Sequence, residues 1–137
     1  MTTARDLMTP GAECVNVDET LADAAKKMRD LDVGALPICG SDNRLAGVLT
    51  DRDIVIRCVA EGKNPTDTLA GDLAQGKPVT IGADDSVEEA MRTMSQHQVR
   101  RLPVIDGHQL VGMLAQADLA RELSAEDVGD VVREVSE

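Results

Sequence analysis

The chain contains no phenylalanine, tyrosine or tryptophan. Its core must be packed from Val, Leu, Ile, Ala and Met, and its absorbance at 280 nm should be almost nil. The same absence removes every ring on which a nucleobase could stack, so a bound base would have to lie between aliphatic side chains. Positive charge is scarce as well: 14 Lys and Arg stand against 25 Asp and Glu, a net charge of −11. That balance argues against a nucleic-acid partner and against an anionic membrane surface, both of which attract basic faces. It reads instead as surface that aids solubility. Nowhere do 18 apolar residues run together, and the opening MTTARDLMTPG lacks the charged-then-apolar layout of a secretion signal. The expectation is a soluble cytoplasmic protein, with export by a route lacking such a signal left open.

Cysteine and histidine are sparse. Cys14, Cys39 and Cys58 are too few for a disulfide framework, and no CxxC spacing points to zinc. Cys58 falls on the apolar side of a helix, as a small core residue would. Cys14 and Cys39 lie on or beside two predicted strands of the same half, and two readings stay open: a disulfide, or two buried thiols. His97 and His108 are the only histidines. Their spacing matches no standard ligand pattern, so surface histidines and no metal are expected. No Ser or Cys has a recognisable base partner, so the chain does not read as an enzyme.

What is present is repetition. Thr20, Leu21, Ala24, Met28, Val33, Leu36 and Pro37 match Ser86, Val87, Ala90, Met94, Val99, Leu102 and Pro103, each 66 positions on. After one deleted residue the offset becomes 65, and Leu45, Gly47, Leu49 and Asp53 match Leu110, Gly112, Leu114 and Asp118. The lead-ins Ala4–Met8 and Ala70–Ala74 echo each other as well. Two copies are too few for a solenoid and predict two halves about a pseudo-twofold axis, with any cleft between them. Each half reads as lead-in, strand, helix, strand, strand, helix. Strands are predicted at 14–17, 35–39, 45–50, 79–81, 101–105 and 109–115, with hairpin turns at Asp42-Asn43 and Asp106-Gly107. Thr20–Asp23 and Ser86–Glu89 read as capping boxes before helices with one apolar face. The polar stretch 61–68 reads as the connection between halves, and Val128, Val131, Val132 and Val135 space like a helix face.

The best candidate for chemistry is Gly47-Val-Leu-Thr-Asp-Arg-Asp53, a strand running into a helix. Gly47 removes a side chain, Thr50 offers a hydroxyl where backbone N–H groups are free, and Asp53 could accept two hydrogen bonds from a ribose diol. A plain helix cap is the competing reading. In the second copy Ala115 replaces Thr50 while Asp118 is kept, which favours a ligand role for the aspartate over a capping role.

These runs together resemble a tandem pair of CBS domains (cystathionine beta-synthase domains), a Bateman module. The resemblance rests on Ala4-Arg-Asp-Leu-Met-Thr9, Leu36-Pro37-Ile38, Leu102-Pro103-Val104 and the Gly-x-x-Thr-x-x-Asp run, and it spans about residues 4–123. It implies an α+β fold of two β-α-β-β-α repeats that binds AMP, ADP, ATP or S-adenosylmethionine. It implies ligand contacts from Val17, Leu36, Pro37, Thr50 and Asp53 in the first half, and from Ile81, Leu102, Pro103 and Asp118 in the second. Basic residues before Leu-Pro often meet phosphate in such modules. Arg100 and Arg101 stand there in the second half, Gly34 and Ala35 in the first, and pairing of the arginines with surface acids is the alternative.

The expectation is therefore a non-catalytic regulatory protein with no required cofactor, a homodimer that signals to an effector protein. A ligand-free interaction module stabilised by Cys14–Cys39 is the alternative. The division by chain order is 1–62, 63–123 and a helical tail at 124–137.

Overall fold

The computed structural model describes residues 2–11, 13–74 and 78–122. The valine-rich tail lies outside them. In chain order the elements are α1 (Ala4–Leu7), β1 (Thr9–Pro10), β2 (Val15–Asn16), α2 (Leu21–Leu31), β3 (Ala35–Cys39), β4 (Leu45–Thr50) and α3 (Asp51–Ile54). A π-wound turn, Val55–Val59, continues α3. Then follow α4 (Ala70–Leu73), β5 (Ile81–Gly82), α5 (Val87–His97), β6 (Arg101–Asp106), β7 (Gln109–Ala115) and α6 (Gln116–Leu119). The mixed α+β character and the two repeats, each with its sheet and helices, follow the expectation.

The described residues form two compact units, one within residues 13–78 and the other from residues 2–11 with 79–122. We call them the first-repeat and second-repeat units. This spatial division differs from the chain-order division at 62/63. Residues 61–68, expected as the connection, are bonded into the first-repeat unit: the N–H of Leu21 donates to Thr68 O at 2.9 Å and that of Ala22 to Pro65 O at 3.0 Å.

The first-repeat sheet has the order β2-β3-β4 and the second-repeat sheet β1-β7-β6-β5. The short strands β2 and β5 run parallel to the Leu-Pro strands β3 and β6, which pair antiparallel with β4 and β7. Thr20 Oγ1 accepts from Asp23 N–H and Ser86 Oγ from Glu89 N–H, both at 3.1 Å. The reciprocal bonds of a capping box do not form there; Glu89 turns to Arg92 at 2.6 Å instead. Leu21, Ala24 and Met28, with their counterparts Val87, Ala90 and Met94, are buried. Leu31, the last residue of α2, is exposed. Cys58 is fully buried. Asp42 and Asn43 take positive φ in the first hairpin, whereas the second turns on Gly107-His108, one residue later than expected, because Asp106 still pairs with Gln109.

The lead-ins cross over. Ala4 packs in one core with Ile81, Val87 and Met94, and Ala70 packs in the other with Val15, Leu21 and Met28. Their backbones dock identically. Ala4 N–H donates to Asp85 O at 2.9 Å and Ala70 N–H to Glu19 O at 2.8 Å; Arg5 N–H reaches Ala83 O at 2.9 Å and Gly71 N–H reaches Val17 O at 3.0 Å. Each repeat thus completes the core of the other.

The crossing explains both motif glycines. A Cβ on Gly112 would lie 2.6 Å from Met8 Sδ and Thr9 O, where β1 pairs with β7. A Cβ on Gly47 would lie 3.2 Å from Ala74 Cβ. The space beside Gly47 is taken by the lead-in chain.

Candidate functional site

In the first-repeat unit the register of β3 on β4 sets Ala35 opposite Thr50 and Leu36 opposite Leu49, and Asp51 N–H donates to Gly34 O at 2.9 Å. These bonds hold the start of the Leu-Pro strand beside the start of α3. Thr50 and Asp53 form a closed box: Thr50 N–H donates to Asp53 Oδ2 at 2.9 Å, and Asp53 N–H donates to Thr50 Oγ1 at 3.0 Å. The capping reading is therefore realised. It consumes only one carboxylate oxygen. Asp53 Oδ1 faces Arg57 Nη1 at 3.8 Å, beyond hydrogen-bond range, and remains an oriented, half-exposed acceptor.

The second-repeat unit repeats the backbone and changes the chemistry. Gln116 N–H donates to Arg100 O at 2.8 Å, and Ala115 N–H to Asp118 Oδ2 at 2.7 Å. The other oxygen of Asp118 is bonded by Arg121 Nη2, and the residue is only 8% exposed. The Nε2 of Gln116 is buried with no hydrogen-bond partner among the described residues. Where Arg100 stands in this unit, the other has Gly34, and a Cβ there would lie 3.2 Å from Asp51 Oδ2. Arg100 and Arg101 are exposed and form no ion pair with the described residues.

Leu36, Pro37, Leu102 and Pro103 are buried, so a ligand at these strands would meet backbone rather than these side chains. Val17 is half-buried and packs on the core. Ile81 is buried on β5, where its counterpart 66 positions earlier is Val15; the counterpart of Val17 is Ala83. Both residues at that latter position lend their carbonyls to a lead-in. Arg57 and Arg121, the cations against the two aspartates, were not singled out in the sequence. Their spacing at i+4 and i+3 on a helix was the signal that could have found them.

Cys14 and Cys39 are joined by a disulfide with their Cα atoms 5.7 Å apart, and it ties the approach to β2 to the end of β3. Beside it, Lys27 Nζ donates to Cys14 O and to Glu19 Oε1, both at 2.9 Å. The Asn16 N–H bond to Glu19, reinforced by Lys27, holds that carboxyl below its ordinary 4.5 against the opposing effect of burial. No group of three or more His, Cys, Asp or Glu among the described residues is placed to hold a metal ion. No helix among them is long and apolar enough to cross a membrane.

Two α+β repeats, each presenting an aspartate at the start of the helix after its hairpin, define a tandem-repeat module. The chain belongs to the CBS-domain family, whose pattern matches residues 4–59 and 70–125. Proteins of this family are generally regulatory and non-catalytic. The chain is 49% identical over 135 residues to hypoxic response protein 1 of Mycobacterium tuberculosis strain H37Rv, covering 98% of this chain and 94% of that protein. A crystal structure of hypoxic response protein I with two coordinated zinc ions aligns with a TM-score of 0.85 at 52% identity, over 90% of this chain and all of that one. A crystal structure of CBSX2 in complex with AMP aligns with a TM-score of 0.76 at 26% identity, over 88% of this chain and 95% of the other.

Proposed function

We propose that the chain is a non-catalytic sensor of an adenine-containing small molecule, either a nucleotide or S-adenosylmethionine, that signals to a partner protein. The observation that carries this is Asp53: its box with Thr50 fixes the carboxylate while Oδ1 is left to accept from a ribose diol. Asp118 is oriented in the same way, but its second oxygen is held by Arg121, so the first-repeat site is the stronger one. Binding of AMP by the structurally similar CBSX2 supports the ligand class. Arg100 and Arg101 supply free positive charge for phosphate in the second repeat.

Calorimetry with AMP, ATP and S-adenosylmethionine tests the reading. Binding should weaken at least about tenfold in Asp53→Asn, which retains a capping acceptor but loses a second anionic oxygen. Absence of heat with all three at millimolar concentration would remove the proposal.

A second reading is favoured by the Cys14–Cys39 bond: a ligand-free interaction module hardened by its disulfide. Such bonds persist in oxidising surroundings, which stands against the cytoplasmic expectation. Intact mass with and without reductant, followed by the urea midpoint of each form, separates a structural bond from an incidental one. Zinc, present in the hypoxic response protein structure, finds no fitting donor cluster among the described residues of one chain, and no step is assigned to it.

We infer a homodimer from three exposed aliphatics on one helical stretch, Val55, Ile56 and Val59, exposed by 55%, 45% and 56%. Burying such a patch against its own copy is the usual economy of a twofold assembly. Light scattering of Val59→Lys against the unaltered chain tests it; a monomer mass for the unaltered chain would refute it.

A further inference from the structure

A cavity of about 200 Å³ lies within the first-repeat unit, lined by Arg57, Glu61, Lys63, Asp72 and Leu73. Apart from Arg57, its walls come from the stretch 61–68 and the lead-in Ala70–Ala74. The π-wound turn after α3 presents Arg57, and such turns are frequent beside functional sites. The helix then stops at Gly62, whose φ is +75°. Gly62 N–H donates to Val59 O at 3.1 Å and Lys63 N–H to Cys58 O at 2.9 Å, the paired bonds of a Schellman stop. That stop fixes the backbone from which Glu61 and Lys63 project. On the other wall, Asp72 Oδ2 accepts from Leu69 N–H at 3.0 Å, which orients its carboxylate, and buried Leu73 supplies an apolar lining.

Two cations and two acids therefore share one cavity, yet no two of these four form an ion pair with each other. The acid near Arg57 is Asp53, outside the cavity lining, at 3.8 Å. A simple anion would meet Glu61 and Asp72 as like charges, and a simple cation would meet Arg57 and Lys63; both juxtapositions are costly. A ligand bearing both signs is complementary. We propose that this groove takes the α-amino-acid end of a small molecule, its carboxylate toward Arg57 and Lys63 and its ammonium toward Glu61 and Asp72. The proposal rests on the adenine-ligand reading in one respect. Arg57 borders both Asp53 and the groove, so an adenosyl group with its ribose on Asp53 would direct an amino-acid end into it. The favoured ligand class is then an adenosyl amino acid rather than a nucleotide.

Calorimetry on the full chain with four probes tests it: S-adenosylhomocysteine, methylthioadenosine (the same adenosyl thioether without the amino-acid end), AMP and L-methionine. S-adenosylhomocysteine should bind at least about tenfold more tightly than methylthioadenosine, the worth of one charge-assisted contact. Lys63→Glu and Glu61→Lys should each erase that advantage, with an unchanged urea midpoint showing that the variants fold. Equal affinity for the two thioethers, or tighter binding of AMP, overturns the groove and leaves the adenine reading standing. If no adenosyl compound binds but L-methionine does, and Lys63→Glu abolishes it, the groove stands and the adenine reading falls. Silence from all four probes overturns both.

Discussion

The starts of α3 and α6 share one backbone and differ in chemistry. Both follow a strand whose last residue donates its N–H to an aspartate three positions on. Around Asp53 stand Gly34, Ala35, Thr50 and Asp51; around Asp118 stand Arg100, Arg101, Ala115 and Gln116. The first has a carboxylate oxygen that faces Arg57 at 3.8 Å without a hydrogen bond. The second is basic at its rim, with its carboxylate hydrogen-bonded by Arg121 and the Gln116 amide nitrogen unpaired among the described residues. The two repeats keep one backbone frame and differ in side chains, so their helix starts are alike in fold and unequal in chemistry.

The largest test of that inequality is covalent, because the disulfide serves only the first-repeat unit. Replacing both Cys14 and Cys39 by Ser opens a loop with a sequence separation of 25 and should cost about 3 kcal/mol. The urea midpoint should fall accordingly, and reduction of the unaltered chain should reproduce the fall.

A second comparison sets the motif glycines against each other. Gly112→Ala drives a Cβ into the backbone oxygen of Thr9 and should cost about 2 kcal/mol, while Gly47→Ala meets only Ala74 Cβ at 3.2 Å and should cost less than about 1 kcal/mol. Equal losses in chemical denaturation would mean that the lead-ins do not constrain the two strands differently.

Capping gives a smaller contrast. Thr50→Ala should lose about 1 kcal/mol, and Ala115→Thr should gain about 0.5 kcal/mol by supplying the hydroxyl that the second helix start lacks. Thermal melts of the two variants should therefore move in opposite directions.

The smallest effect is one of pH. Because folding lowers the Glu19 pKa, its contribution is present above the ordinary 4.5 and is lost as pH falls through the lower folded value. Glu19→Gln should remove less than about 1 kcal/mol at neutral pH and flatten the acid limb of the stability curve below pH 4.5.

The repeat made most of this architecture legible. Strands β4 and β7, the two long helices and the burial of Met28 and Met94 follow from local pattern, because alternation and 3/4 spacing act over a few residues. The crossing of the lead-ins was not legible. Ala4 and Ala70 look alike, and no local property says that each docks on the other repeat's first strand. The role of the motif glycines was hidden for the same reason: a missing side chain looks the same whether it admits a ligand or a passing chain. At the candidate site, Thr50-x-x-Asp53 could be read as a cap or as a ligand contact. The geometry makes these compatible, since a carboxylate has two oxygens and the cap uses one. Arg57 and the groove beyond it depend on a π-wound turn and a Schellman stop that the residue pattern alone does not distinguish from an ordinary loop.

The most direct test of the central claim is a paired titration of Asp53→Asn and Asp118→Asn with the tightest adenine-containing ligand found for the unaltered chain. The account predicts a loss of at least about tenfold for the first and little change for the second, because Asp53 Oδ1 faces Arg57 only as an ion pair at 3.8 Å, whereas the second oxygen of Asp118 is hydrogen-bonded by Arg121. An equal loss in both variants, or a loss confined to Asp118→Asn, would contradict it.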